Sequence, residues 1–79
     1  MNNLIKLNQL IAEVLDLKIE EINDDLSPKN TDNWDSFNAL VMVTEIEEVF
    51  TVSFSIEEVE GVTCVADIKK YLKNHNISF

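Results

Sequence analysis

Ser36-Phe37-Asn38-Ala39-Leu40-Val41-Met42-Val43-Thr44-Glu45-Ile46-Glu47-Glu48-Val49-Phe50 reads as a helix, with Asp35 in front of it as the expected N-cap. On a wheel of about 100° per residue, Ala39, Met42, Val43, Ile46, Val49 and Phe50 gather on one side as a core stripe. Phe37, Val41 and Thr44 fall on the opposite side, with Glu47 and Glu48 near them and Leu40 at the flank. A purely structural helix would keep that far side polar. Apolar side chains ringed by acids, at the end bearing Ser36, form the pattern of a partner-docking face.

On the N-terminal side, residues 3–16 form a second amphipathic pattern. Leu4, Leu7, Ile11 and Val14 recur at three- and four-residue steps, and Leu10 and Leu15 flank the stripe. Residues 17–35 are a long connection rich in turn formers: Asn23-Asp24-Asp25, Ser27-Pro28 and Asn30-Thr31-Asp32-Asn33. A connection of this length has to be functional or pinned, and Ile19, Ile22, Leu26 and Trp34 are the expected pins.

On the C-terminal side, residues 51–55 are β-prone but have no partner strand, so they read as a connector. Ser55 with Glu58 fits a capping box opening a short helix to Glu60. Gly61 is expected to end it in a left-handed conformation. Thr63 or Cys64 caps a last helix over 65–74, whose stripe is Val65, Ile68 and Leu72 and whose C-terminal part carries Lys69, Lys70 and Lys73. The order is long helix, long loop, long helix, short helix, helix.

Seventy-nine residues suffice for one domain, 1–79, that buries only roughly 60% of the surface of its unfolded chain. Hydrophobic content of 46% argues against disorder. The lone Cys64 cannot form an internal disulfide, which points to a reducing, cytoplasmic setting. Lys6, Asn8, Gln9, Glu13 and Asp16 interrupt the N-terminal apolar residues, so neither a signal peptide nor a membrane span is expected. The net charge of -9 excludes nucleic acid as the main partner and favours partners with basic surfaces.

The catalytic inventory is poor. One His, one Cys and one Gly leave Ser36 without a base, a nucleophile elbow or a phosphate-cradling loop. His75 reads as a solvated end residue, and His75 with Cys64 makes no zinc cluster. The acid-rich stretch 23–35 lacks the central Gly and closing Glu of a calcium loop. Ser36 is then either a helix-start serine or a point of attachment. An anionic group there would meet the positive end of the helix, partly opposed by Asp32 and Asp35.

Asp35-Ser36, Ala39-Leu40-Val41-Met42-Val43, Ile46-Glu47-Glu48-Val49-Phe50, Phe54-Ser55-Ile56-Glu57-Glu58 and then Thr63, Val65, Ile68 and Leu72 together resemble the phosphopantetheine-bearing acyl carrier proteins over nearly the whole chain. The resemblance implies an all-α, four-helix acyl-carrier-like bundle with three longer helices, one short helix and a long first loop. It implies that Ser36, behind Asp35 of the motif, bears 4′-phosphopantetheine. A phosphopantetheinyl transferase would install the group from coenzyme A, and the protein would shuttle thioester-bound acyl intermediates without being an enzyme or holding a metal. Phe37, Leu40, Val41, Glu47 and Glu48 would dock the transferase and the acyl-loading and acyl-transfer enzymes, with the carrier acting as a monomer.

The chain also departs from the pattern. Phe37 stands where Leu is usual, Trp34 replaces a small residue, Asn38 and Val41 stand where many fatty-acid carriers have acids, and Thr44 replaces an apolar residue. A docking face shaped this way suggests a specialised polyketide, lipid or acyl-transfer pathway. An aminoacyl or peptidyl carrier on the same scaffold, or an acidic helical adaptor without a prosthetic group, are the alternatives.

Overall fold

The computed structural model describes residues 2–79. Four α-helices follow one another: α1 (Asn3–Leu15), α2 (Ser36–Phe50), α3 (Ile56–Glu60) and α4 (Val65–Asn74), with one 3₁₀ turn at Ile19–Glu21 in the first loop. Among the described residues there is no strand, so the connector at 51–55 is a connector. The fold is the expected all-α bundle of three longer helices, one short helix and a long first loop.

Local chemistry sets the helix ends. The Asn2 side chain accepts from the Leu4 N–H at 2.8 Å, satisfying a donor that α1 itself cannot. Asp16 closes α1 in the left-handed region at φ 55°, a conformation that Asp tolerates. Thr51 closes α2 at the same φ of 55°, where its β-branch makes the backbone strained. Ser55 and Glu58 form the full capping box of α3.

Gly61 does end α3, but for a different reason from the one expected. Its φ is -80°, open to any residue. What glycine supplies is room, since a Cβ here would meet the Tyr71 hydroxyl and the tyrosine side chain would have to shift. The start of α4 is also settled differently. Cys64 is the N-cap residue but its side chain makes no cap bond. The Val65 and Ala66 N–H groups instead donate to the carbonyls of Leu26 (3.0 Å) and Asp24 (3.2 Å), so the first loop caps the last helix. Thr63 contributes through Asp67, whose carboxylate accepts from the Thr63 N–H at 2.9 Å and from its hydroxyl. The hydroxyl bond first, then the backbone one, lowers the Asp67 carboxyl from its ordinary value.

The core joins α1, α2 and α4. Leu7, Ile11 and Leu15 meet Met42 and Ile46, and Val65, Ile68 and Leu72 close the third side, all essentially without exposure. Trp34 is buried with them, and Ile22 and Leu26 pack against the cluster. Ile19 is half-buried but stands outside that cluster, so three of the four expected pins hold the loop. Val49 departs from the expected core stripe and is 45% exposed. The buried track of α2 runs Met42, Ile46, Phe50 at four-residue steps. Each such step drifts by about 40°, and Val49 lies about 100° from Phe50 at the end of the track.

His75 is not a solvated end residue. It is the C-cap of α4, half-buried, with Nε2 3.1 Å from both carboxylate oxygens of Glu58. Its ring meets Phe54 edge-on, with centroids 5.4 Å apart at 74°. These contacts tie the end of α4 to α3, a helix of five residues that buries none of its own side chains fully.

Among the described residues, no helix is long and apolar enough to cross a membrane.

Candidate functional site

The start of α2 is built by Asp35. Its backbone is extended, its carbonyl accepts from the Ala39 N–H at 2.9 Å, and its Oδ1 accepts from the Asn38 N–H at 2.8 Å. Ser36 follows as the first helical residue and is exposed. The division of labour matters, because the reading of Ser36 as a mere capping serine requires it to do what Asp35 does. With the cap supplied by its neighbour, the Ser36 hydroxyl is presented to solvent at the positive end of a four-turn helix.

Beside Ser36 lies an apolar cleft of about 280 Å³. Trp34, Leu40 and Val43 line it from the α2 side, Val59 of α3 and the following Val62 from the other, and Ile68 of α4 lies between. Another hollow, of about 370 Å³, lies under the first loop near Leu15, Glu21, Asn30 and Asp32. Its lining is mixed, with Glu21, Asn30 and Asp32 beside Leu15, Leu17 and Leu26, so it suits an apolar group less well than the cleft beside Ser36.

The outer face of α2 is mixed. Phe37 and Leu40 are 73% and 61% exposed, far beyond what an isolated surface apolar residue of a structural helix would need. Val41 is half-buried and Glu48 is exposed. Glu47 is partly committed, since its Oε2 accepts from the Phe54 N–H at 2.8 Å and thereby fixes the connector into α3. Thr44 turns its hydroxyl back to the Leu40 carbonyl at 2.8 Å. Sequence reasoning missed Ile56, the first residue of α3 and 73% exposed. The signal was present as an apolar residue between the capping Ser55 and Glu57-Glu58, but a single residue has no period to reveal its face.

Sequence reasoning also missed two asparagines. The Asn33 side-chain amide donates to the carbonyl of Leu15, the last residue of α1, at 2.7 Å. The Asn38 amide donates to the Asn33 carbonyl at 2.7 Å. Turn-forming composition announced a loop here but not which carbonyls its amides would find.

On α3, the Glu58 carboxyl is held below its ordinary value, first by the Ser55 N–H donating to it and then by His75. Among the described residues no group of three or more His, Cys, Asp or Glu side chains is placed to hold a metal ion.

The residues at the start of α2 fit a phosphodiester-linked arm. The hydroxyl is exposed, the helix dipole favours an anion, the nearest carboxylate is occupied by the Asn38 N–H, and an apolar cleft opens alongside. Comparison with known proteins gives the family of the chain as a whole. The family model for the phosphopantetheine attachment site matches residues 6–72. The acyl carrier protein of Buchnera aphidicola subsp. Schizaphis graminum is 30% identical over 77 residues, covering 96% of this chain and 98% of that protein. The acyl carrier protein of Rickettsia bellii is 36% identical over 70 residues, covering 89% and 86%. The chain belongs to the family defined by the phosphopantetheine attachment site, alongside the acyl carrier proteins of both organisms.

Proposed function

We propose that this protein is an acyl carrier in which Ser36 bears 4′-phosphopantetheine. When attached, that group supplies a terminal thiol able to hold acyl groups as thioesters. The observation that carries the assignment of Ser36 is its exposed hydroxyl, relieved of capping by Asp35 and set beside the apolar cleft. The chain's own residues then do three things. Asp35 holds the first turn of α2, Trp34, Leu40, Val43, Val59 and Val62 offer apolar surface to an aliphatic cargo, and the outer face of α2 meets partners. The apolar lining of that cleft favours an acyl cargo over a charged aminoacyl one.

The partners proposed are a phosphopantetheinyl transferase and acyl-loading and acyl-transfer enzymes with basic docking surfaces. Phe37, Leu40 and Val41 would supply apolar contact and Glu47 and Glu48 charge, in keeping with a net charge of -9. Chemistry on the cargo would belong to those enzymes, with the carrier non-catalytic, monomeric and organised as one domain over 1–79. A cytoplasmic setting accords with a lone cysteine. Asn38 and Val41 make the face less acidic than that of many fatty-acid carriers, and Thr44 changes its apolar contact, which supports a dedicated polyketide, lipid or acyl-transfer pathway.

The test is intact mass after incubation with coenzyme A, magnesium and a promiscuous transferase. The expected result is a single phosphopantetheine mass gain in the parent and none in Ser36→Ala, whose fold is unchanged by circular dichroism. Equal gain in both proteins would move the attachment elsewhere, and no gain with several transferases would favour an adaptor without a prosthetic group.

A further inference from the structure

We propose that Asn33 and Asn38 are positioning residues that clamp the Ser36 turn, and that the side-chain amide donor of Asn38 sets how fast Ser36 is modified. The inference rests on the reading of Ser36 as the attachment residue and adds a role for two side chains outside the motif. Ser36 follows the long loop 17–35, so its place depends on what fixes the end of that loop. The Asn33 amide fastens it to the Leu15 carbonyl, one of the acceptors that α1 leaves unpaired at its C-terminus. The Asn38 amide reaches back from the first turn of α2 to the Asn33 carbonyl. The Asn38 N–H donates to Asp35 Oδ1. Residues 34–37, Ser36 among them, are thus enclosed between two ties made by one asparagine, and the enclosure is moored to the end of α1.

Only an amide satisfies this geometry. An aspartate at 38 has nearly the same shape but no donor, and would set its oxygens against the Asn33 carbonyl. It would also place a third carboxylate near the turn beside Asp32 and Asp35. Helix stability does not explain the choice, since an acid in the first turn of a helix is favourable. In the modification, the Ser36 oxygen bonds to the β-phosphorus of coenzyme A. The bond from that phosphorus to the bridging oxygen breaks, adenosine 3′,5′-bisphosphate leaves with the electron pair, and the hydroxyl proton passes to a base on the transferase. A turn that is already ordered loses less freedom when it is held for that displacement.

The experiment compares parent, Asn38→Asp, Asn38→Gln and Asn33→Asp as transferase substrates, with coenzyme A and magnesium, and follows amide hydrogen exchange at residues 34–37. For Asn38→Asp the expected result is a loss of about three- to tenfold in kcat/KM, the size of one lost hydrogen bond. Exchange at 34–37 should accelerate while that of Ile46 in the core stays at the parent rate. Asn33→Asp should show the same pair of changes without altering α2, and Asn38→Gln, which keeps the donor, should recover part of the rate. Parent-like rate and exchange in Asn38→Asp would overturn the proposal. So would faster modification through a lower KM, which would make position 38 a docking charge. If Ser36→Ala is modified as well as the parent, the reading of Ser36 fails, and the exchange data alone then decide whether the clamp exists.

Discussion

α2 and α3 face each other across the same cleft, but α2 spans Ser36–Phe50 and α3 only Ile56–Glu60. α2 is anchored by burial, with Met42, Ile46 and Phe50 sunk between α1 and α4. α3 has no fully buried residue, and polar ties hold it: the Ser55–Glu58 box, the Glu58–His75 contact and the Glu47 carboxylate on the Phe54 N–H. Hydrophobic burial is large and non-directional, whereas each hydrogen bond contributes little net and can be exchanged for water. A cleft with one wall of each kind has an inherent asymmetry. Its α3 side can shift at small cost while the side bearing Ser36 stays in place.

That comparison is open to attack, beginning with its heavier side. Ile46→Ala removes a wholly buried side chain from the anchored wall and should cost about 2–5 kcal/mol in urea unfolding. For a domain of this size that is a large fraction of the total. A cost below about 1 kcal/mol would mean that burial is not what anchors α2.

The latched wall should respond to acid. The Glu58 carboxyl titrates below its ordinary value of 4.5 when folded, first because of the Ser55 N–H and then because of His75. A depressed folded value means that the charged form stabilises the fold. That contribution is complete above about pH 4.5 and is lost as pH falls through the lower folded value. Glu58→Gln should therefore unfold more easily than the parent at neutral pH, and the gap should close below pH 4.5. Asp67, also lowered from its ordinary 3.8, would leave some acid dependence in both proteins. A gap that is constant with pH would detach Glu58 from the latch.

The smallest effect on stability is expected at the rim. Ile56 is 73% exposed, so Ile56→Ser should change unfolding by no more than about 0.5 kcal/mol. The same substitution should raise KM for a transferase or acyl-loading enzyme if the exposed apolar residues of α2 and α3 form one docking surface with Phe37 and Leu40. An unchanged KM with every partner would confine docking to α2.

Much of this was legible in local patterns. Asp35 as the cap of α2 and Ser55–Glu58 as the box of α3 follow from residue types a few positions apart, as does the α4 stripe of Val65, Ile68 and Leu72. The candidate site was legible as Ser36 next to Phe37 and Leu40, all three exposed. It was not legible as a cleft, because Val59 and Val62 arrive from a different helix and its end. Val49 shows the limit of the helical wheel, which assigns a face but not how far the neighbouring helices extend along it.

By itself, then, the sequence determined the helices, the N-caps of α2 and α3, the acidic character of the chain and the place of Ser36 at the start of α2. Each depends on residues within about four positions of one another or on composition, and backbone geometry converts such spacing into structure wherever the chain lies. Tertiary structure alone decided that His75 reaches Glu58, that Leu26 and Asp24 carbonyls cap α4 in place of Cys64, that Glu47 is spent on the connector and that Asn33 finds Leu15. Those pairings join groups distant in sequence. Which carbonyl a given amide or imidazole meets depends on how the buried faces of α1, α2 and α4 pack, and no periodicity in the chain records that.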